Sequence, residues 1–106
     1  MAWVYLIVAG LFEIGWPVGL KMAQTVEGKQ FMGIAVAVVS MALSGFLLYL
    51  AQRDIPMGTA YAVWTGIGAA GTFILGILLY NDPMGTLRIF SVLLIISGVI
   101  GLKLAH

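Results

Sequence analysis

The chain has 106 residues, 62% of them hydrophobic and only 8% charged, with a mean hydropathy of +1.12; soluble domains carry about 25% charged residues. Five basic and four acidic side chains cannot coat a soluble globule, and the absence of cysteine excludes a disulfide framework, thiolate metal sites and cysteine nucleophiles. The net charge of +1 comes without a basic run, which leaves nothing for a nucleic-acid backbone, and the single histidine, His106, leaves no internal imidazole for base catalysis or metal binding.

What remains is a single-domain, all-α membrane protein. A spanning helix needs about 20 mostly apolar residues, and four segments meet that requirement. The first, residues 2–20, is long enough but carries Glu13 near its middle. A cleavable signal peptide is a poor reading of it, because no basic segment precedes the apolar run and Glu13 interrupts it. Residues 21–30 (KMAQTVEGKQ) hold both signs of charge and a glycine, and read as the first loop. The second span, 31–51, lies in the uncharged stretch between Lys29 and Arg53. Residues 52–56 (QRDIP) form a tight turn whose Pro56 can open the third span, 57–80. Residues 81–85 (NDPMG) form another turn, and the fourth span covers 86–104, with Arg88 and Lys103 placed to snorkel at its ends. None of these connections can house a lid. With no nucleophile–base pair and no metal-ligand cluster, neither an enzyme nor a cofactor is expected.

With four spans, Arg53 and Lys103 fall on one side of the membrane and Lys21, Lys29 and Arg88 on the other. Lys/Arg asymmetry sets orientation, and two against three is nearly even. The bland reading is small-number noise. The sharper one is insertion both ways, so that two opposed copies build what larger transporters build from fused inverted repeats.

Glu13 is the most informative residue, being the only acid inside a span: Glu27, Asp54 and Asp82 all fall in the expected loops. An ionisable group at mid-span costs about 2.5–3.5 kcal/mol on insertion scales. The structural alternative is a protonated, hydrogen-bonded carboxyl within a bundle. The functional one is a site that exchanges a proton for a cation. Low dielectric favours a neutral acid in general, and a nearby cation favours a carboxylate.

The surroundings fit such a site. Ala9, Gly10, Trp16, Pro17 and Leu20 share Glu13's face at helical spacing. Pro17 lacks the N–H that would bond the Glu13 carbonyl, which loosens the helix there. Trp16 can stack on a flat cation or fill space. In the third span Tyr61, Trp64, Thr65 and Gly68 share a face, and Gly66, Gly68 and Gly71 of the GIGAAG run permit a bend or a close helix approach. Ser40 and Ser44 are the polar residues of the second span, each as ready to back-bond to its own helix as to serve a site. Ser97, Gly98 and Gly101 give the fourth span a small-residue face suited to helix contact.

Three segments carry a family resemblance: AGLFEIGWPVGLK (9–21), PMGTAYAVWTGIGA (56–69) and SGVIGLKL (97–104). The chain resembles the small multidrug resistance family essentially end to end, and within it the guanidinium-exporter subtype, marked by the Glu13-x-x-Trp16 pair and the Leu20-Lys21 that follows. Pro17 stands where many members of the subtype have alanine. The resemblance implies a four-helix exporter of the bacterial inner membrane working as an antiparallel, dual-topology dimer. It implies that protons and guanidinium-like cations compete for Glu13 of both subunits, without any cofactor or metal. By position, Trp16, Ser44, Tyr61 and Trp64 would orient and hydrogen-bond that carboxylate and line the pocket, with Gly10 a close-packing position beside it. Some relatives pair two different chains, so a paralogous partner stays open. Two alternatives stand: an exporter of bulky quaternary or aromatic cations, against which Trp16 argues by narrowing the pocket, and a membrane assembly subunit whose Glu13 pairs with a partner's basic residue.

Overall fold

A computed structural model describes residues 1–105; His106 lies outside the described residues. The chain forms α1 (Ala2–Thr25), α2 (Gln30–Ala51), α3 (Met57–Tyr80) and α4 (Thr86–Ala105). No strand occurs among the described residues. All four helices are long and apolar enough to cross a membrane; twenty residues of helix rise about 30 Å, the thickness of the hydrocarbon core. The protein is therefore an all-α membrane protein.

The first helix runs past its expected end at residue 20 and absorbs half of the expected first loop. Lys21, Met22, Ala23 and Gln24 are good helix formers without a breaker among them. The Thr25 hydroxyl donates back to the Lys21 carbonyl at 2.8 Å. The chain reverses only where Val26 turns extended and Gly28 adopts φ +79°, a left-handed conformation natural to glycine. α1 passes unbroken through Pro17.

One end of the molecule holds the core. Leu6, Ala51, Ile55, Ala60 and Val63 are buried together, with Trp3, Tyr5 and Trp64 packed around them. Ile55 belongs to the α2–α3 turn, where its N–H reaches the Ala51 carbonyl at 3.1 Å and its side chain joins the buried cluster. Lys103, near the end of α4, sits 4.9 Å from the centre of the Trp3 ring. The start of the first helix and the end of the last thus meet on one membrane surface, as an even number of spans requires.

The helices form a slab measuring 45 × 34 × 16 Å, in its thinnest direction little more than one helix diameter of about 10–12 Å. α1 packs along α2 and α3, whereas the α4 backbone runs close to α3 alone, reaches α1 only through side chains such as Lys103 over Trp3, and buries none of its residues. Wide faces of Val, Leu, Ile and Phe stay exposed. In water such faces would drive aggregation. In lipid they cost nothing, since the surrounding chains are equally apolar.

Close contact between α1 and α2 rests on glycine. A Cβ on Gly19 would stand 2.7 Å from the Gly33 carbonyl oxygen, and one on Gly33 would stand 2.6 Å from the Ala23 nitrogen. Gly15 meets Ser40 just as closely. The two backbones touch, and no side chain larger than hydrogen fits between them. This contact fixes the depth of α2 against α1 and brings Ser44 level with Glu13.

Candidate functional site

Glu13 lies halfway along α1, and three helices converge on it. From α2 comes Ser44, fully buried, with its Oγ 3.3 Å from Glu13 Oε1 and 2.8 Å from the Ala9 carbonyl. From α3 comes Trp64, whose Nε1–H donates to Ser44 Oγ at 2.8 Å. Also from α3, Gly68 seats the Glu13 side chain: a Cβ there would stand 2.6 Å from Glu13 Cγ. The carboxylate stem therefore rests on bare α3 backbone.

A serine hydroxyl has one hydrogen to give. Trp64 occupies one lone pair of Ser44, and the hydrogen must choose between the Ala9 carbonyl and Glu13. When Glu13 is a carboxylate, the hydroxyl can donate to it. When Glu13 is protonated, its own O–H can donate to Ser44, and the hydroxyl turns to Ala9. Both protonation states keep the Ser44 hydroxyl and the Trp64 N–H satisfied, which matters where unpaired polar groups are costly.

Beside the carboxylate opens a cavity of about 360 Å³, lined by Glu13, Trp16, Pro17, Thr65, Gly68 and Thr72 among others. Trp16 is a wall of this cavity rather than a hydrogen-bond partner of Glu13. Tyr61 stands one step further out: its ring packs at 5.5 Å and 49° against Trp64, and over half of the residue is exposed. Thr65 turns its hydroxyl back to the Tyr61 carbonyl at 2.7 Å. Every Lys and Arg lies at or near a helix end or in a loop, so no internal cation stands at the depth of Glu13. Among the described residues no three His, Cys, Asp or Glu side chains gather as a metal site would need.

The remaining glycines separate. Gly10 packs on Ile67, tightening α1 against α3 one turn before Glu13. Gly66, expected near the site together with Gly68, faces Val99 on α4 instead. Two positions on a helix differ by about 200°, so residues 66 and 68 cannot share a face. The serines also separate: Ser44 reaches the carboxylate, while Ser40 lies against Gly15. Sequence reasoning passed over Gly15, Gly19 and Gly33, although Gly15 and Gly19 have the four-residue spacing that marks close helix approach in membranes.

Residues 1–95 match the sequence profile of the family described as Small Multidrug Resistance protein. The chain belongs to the small multidrug resistance family. It is 50% identical over 105 residues to a protein of Yersinia pseudotuberculosis serotype I named guanidinium exporter, covering 99% of each chain. It is 45% identical over 105 residues to the protein of the same name from Escherichia coli K12, covering 99% of this chain and 98% of that one. With this membership and four spanning helices, it is a multi-pass protein of a bacterial membrane.

Proposed function

We propose that the protein exports guanidinium and small substituted guanidinium cations in exchange for protons, with both competing for Glu13. The observation that carries this reading is the setting of Glu13: an acid at mid-membrane, without an internal cation at its depth, held by a buried serine at the edge of a cavity. The relatives' printed name supplies the substrate class.

Guanidinium suits the site chemically. It is planar and weakly hydrated, and its parallel N–H donors match a carboxylate in bidentate geometry. The indole of Trp16, in the cavity wall, offers a face for the cation to lie against. Empty and ionised, the carboxylate resists moving through low dielectric; neutralised by a proton or a cation, it can reorient. Since one site cannot hold both, the inward flow of protons drives the outward flow of guanidinium.

The working unit in this reading is two copies in opposite orientation. The thin slab, the unburied α4 and the near-even distribution of Lys and Arg between the two sides support it. The test is flux: liposomes holding only this protein and carrying an imposed proton gradient should accumulate guanidinium against its own gradient. Accumulation of a quaternary aromatic cation but not guanidinium would favour the broader exporter. No flux of either would remove the transport reading.

A further inference from the structure

The groove that starts at Glu13 continues between α1 and α3 towards the surface carrying the first and third loops. There a second cavity of about 170 Å³ is lined by Pro17, Lys21, Thr72, Gly76, Tyr80 and Asp82 among others. Pro17 and Thr72 are walls of both cavities. From Glu13 to Lys21 the helix rises about 12 Å, so the two cavities are successive steps along one groove.

Local structure places the Asp82 carboxylate in that outer cavity. Asn81 adopts the left-handed conformation, φ 56° and ψ 35°, and turns the chain back on itself. The Asp82 N–H then caps the Gly76 carbonyl, six residues back, at 3.1 Å, and the Asn81 N–H reaches the same carbonyl, so the orphan acceptor at the helix end is satisfied by the returning chain. The side chain folds over the last turns of α3 at Gly76, where any Cβ would collide with Asp82 Oδ2. A loop carboxylate has thus been brought in against the groove. Among the described residues Lys21 and Asp82 line this cavity without an ion pair between them.

We propose that Asp82 is an outer binding site for guanidinium-type cations, from which they pass along the α1/α3 groove to and from Glu13. The carboxylate supplies bidentate acceptance, and Tyr80 and Thr72 in the cavity lining bring an aromatic and a hydroxyl side chain of the kinds that suit a flat cation. Lys21 offsets the charge of Asp82, so a cation is held briefly rather than trapped. This inference rests on the transport reading above.

The experiment measures guanidinium uptake into proteoliposomes for wild type, Asp82→Asn, Asp82→Glu and Lys21→Gln, over a range of substrate and salt concentrations. Proton release on guanidinium binding is measured in detergent for the same proteins. A carboxylate that raises the local cation concentration acts on encounter, so Asp82→Asn is expected to raise KM about threefold or more at low salt. Its maximal rate and its proton release at saturating guanidinium should stay unchanged. High salt should erase the difference, Asp82→Glu should restore most of the KM, and Lys21→Gln should lower it. An unchanged KM in Asp82→Asn, alongside working wild type, would overturn the outer site and leave Glu13's role intact. A lowered maximal rate that Asp82→Glu fails to rescue would overturn it too, marking Asp82 as structural. Absence of wild-type flux would overturn both readings together.

Discussion

The α1–α2 contact and the outer face of α4 use the same residue type to opposite effect. At Gly19 and Gly33 the missing side chains let two backbones touch, and nothing larger fits. At Gly98 and Gly101 an added Cβ would meet nothing within 4 Å. Ser97, next to Gly98, turns its hydroxyl to its own helix, at 2.8 Å from the Leu93 carbonyl. Small residues in a spanning helix therefore mark a place where something can approach closely, without saying whether that partner belongs to the same chain. The first pair is spent inside the protomer, setting Ser44 level with Glu13. The second is left on a helix that buries nothing, and in the proposed dimer it is a face available to the other copy.

The sharpest way to break this contrast is to fill both places. Gly33→Leu would drive a side chain into the α1 backbone, and overpacking of this kind costs about 1–3 kcal/mol or more. The expected result is a much lower melting temperature in detergent and loss of uptake, since α2 can no longer bring Ser44 to Glu13. Gly98→Leu should leave the fold of the chain intact, within about 0.5 kcal/mol as for other unpacked positions, while weakening self-association measured by cross-linking or sedimentation. A Gly98→Leu protein that melts early, or a Gly33→Leu protein that does not, would reverse the assignment of the two surfaces.

Smaller effects come from the cluster that the α1–α2 contact positions. Ser44→Ala removes the hydroxyl shared by Trp64, Ala9 and Glu13 and leaves the Trp64 N–H without its acceptor. A loss of about 1–3 kcal/mol of stability is expected for a buried donor left unpaired. Guanidinium binding, measured by titration calorimetry, should weaken severalfold because the carboxylate loses an oriented donor. Trp16→Gly should do least to the fold, because Trp16 is a cavity wall without a hydrogen bond to the site. Its effect should fall on selectivity, admitting bulkier hydrophobic cations at some loss of guanidinium flux. An unchanged cation profile would reduce Trp16 to packing.

Much of the fold was legible because a bilayer leaves few options. Uncharged runs bounded by Lys29, Arg53 and the turn at Asn81 can only be spanning helices, and α2 and α3 lie on them. The C-terminal part of α1 reads as loop because residues 21–30 hold both signs of charge and a glycine, yet nothing in KMAQT stops a helix. Glu13 stood out by its cost. Its partners were only half legible from pattern: periodicity puts Trp64 and Gly68 on one face, but no local pattern distinguishes Ser44 from Ser40, and only the family resemblance singles out Ser44. That choice follows from the register of α2 against α1, which the glycine contact sets through space. Asp82 was least legible of all. In sequence it is an ordinary loop acid, and only the left-handed turn at Asn81 and the bare backbone at Gly76 bring it back over the groove.

The central claim is that proton and guanidinium compete for one carboxylate. The most direct measurement is proton release from the purified protein in weakly buffered detergent as guanidinium is added, with wild type and Glu13→Gln side by side. Glutamine keeps the volume and hydrogen-bonding capacity of the side chain and removes its titration. Wild type is expected to acidify the solution in saturable fashion, and Glu13→Gln, folded by the same melting criterion, to release nothing. Saturable proton release by Glu13→Gln, matching that of wild type, would contradict the account.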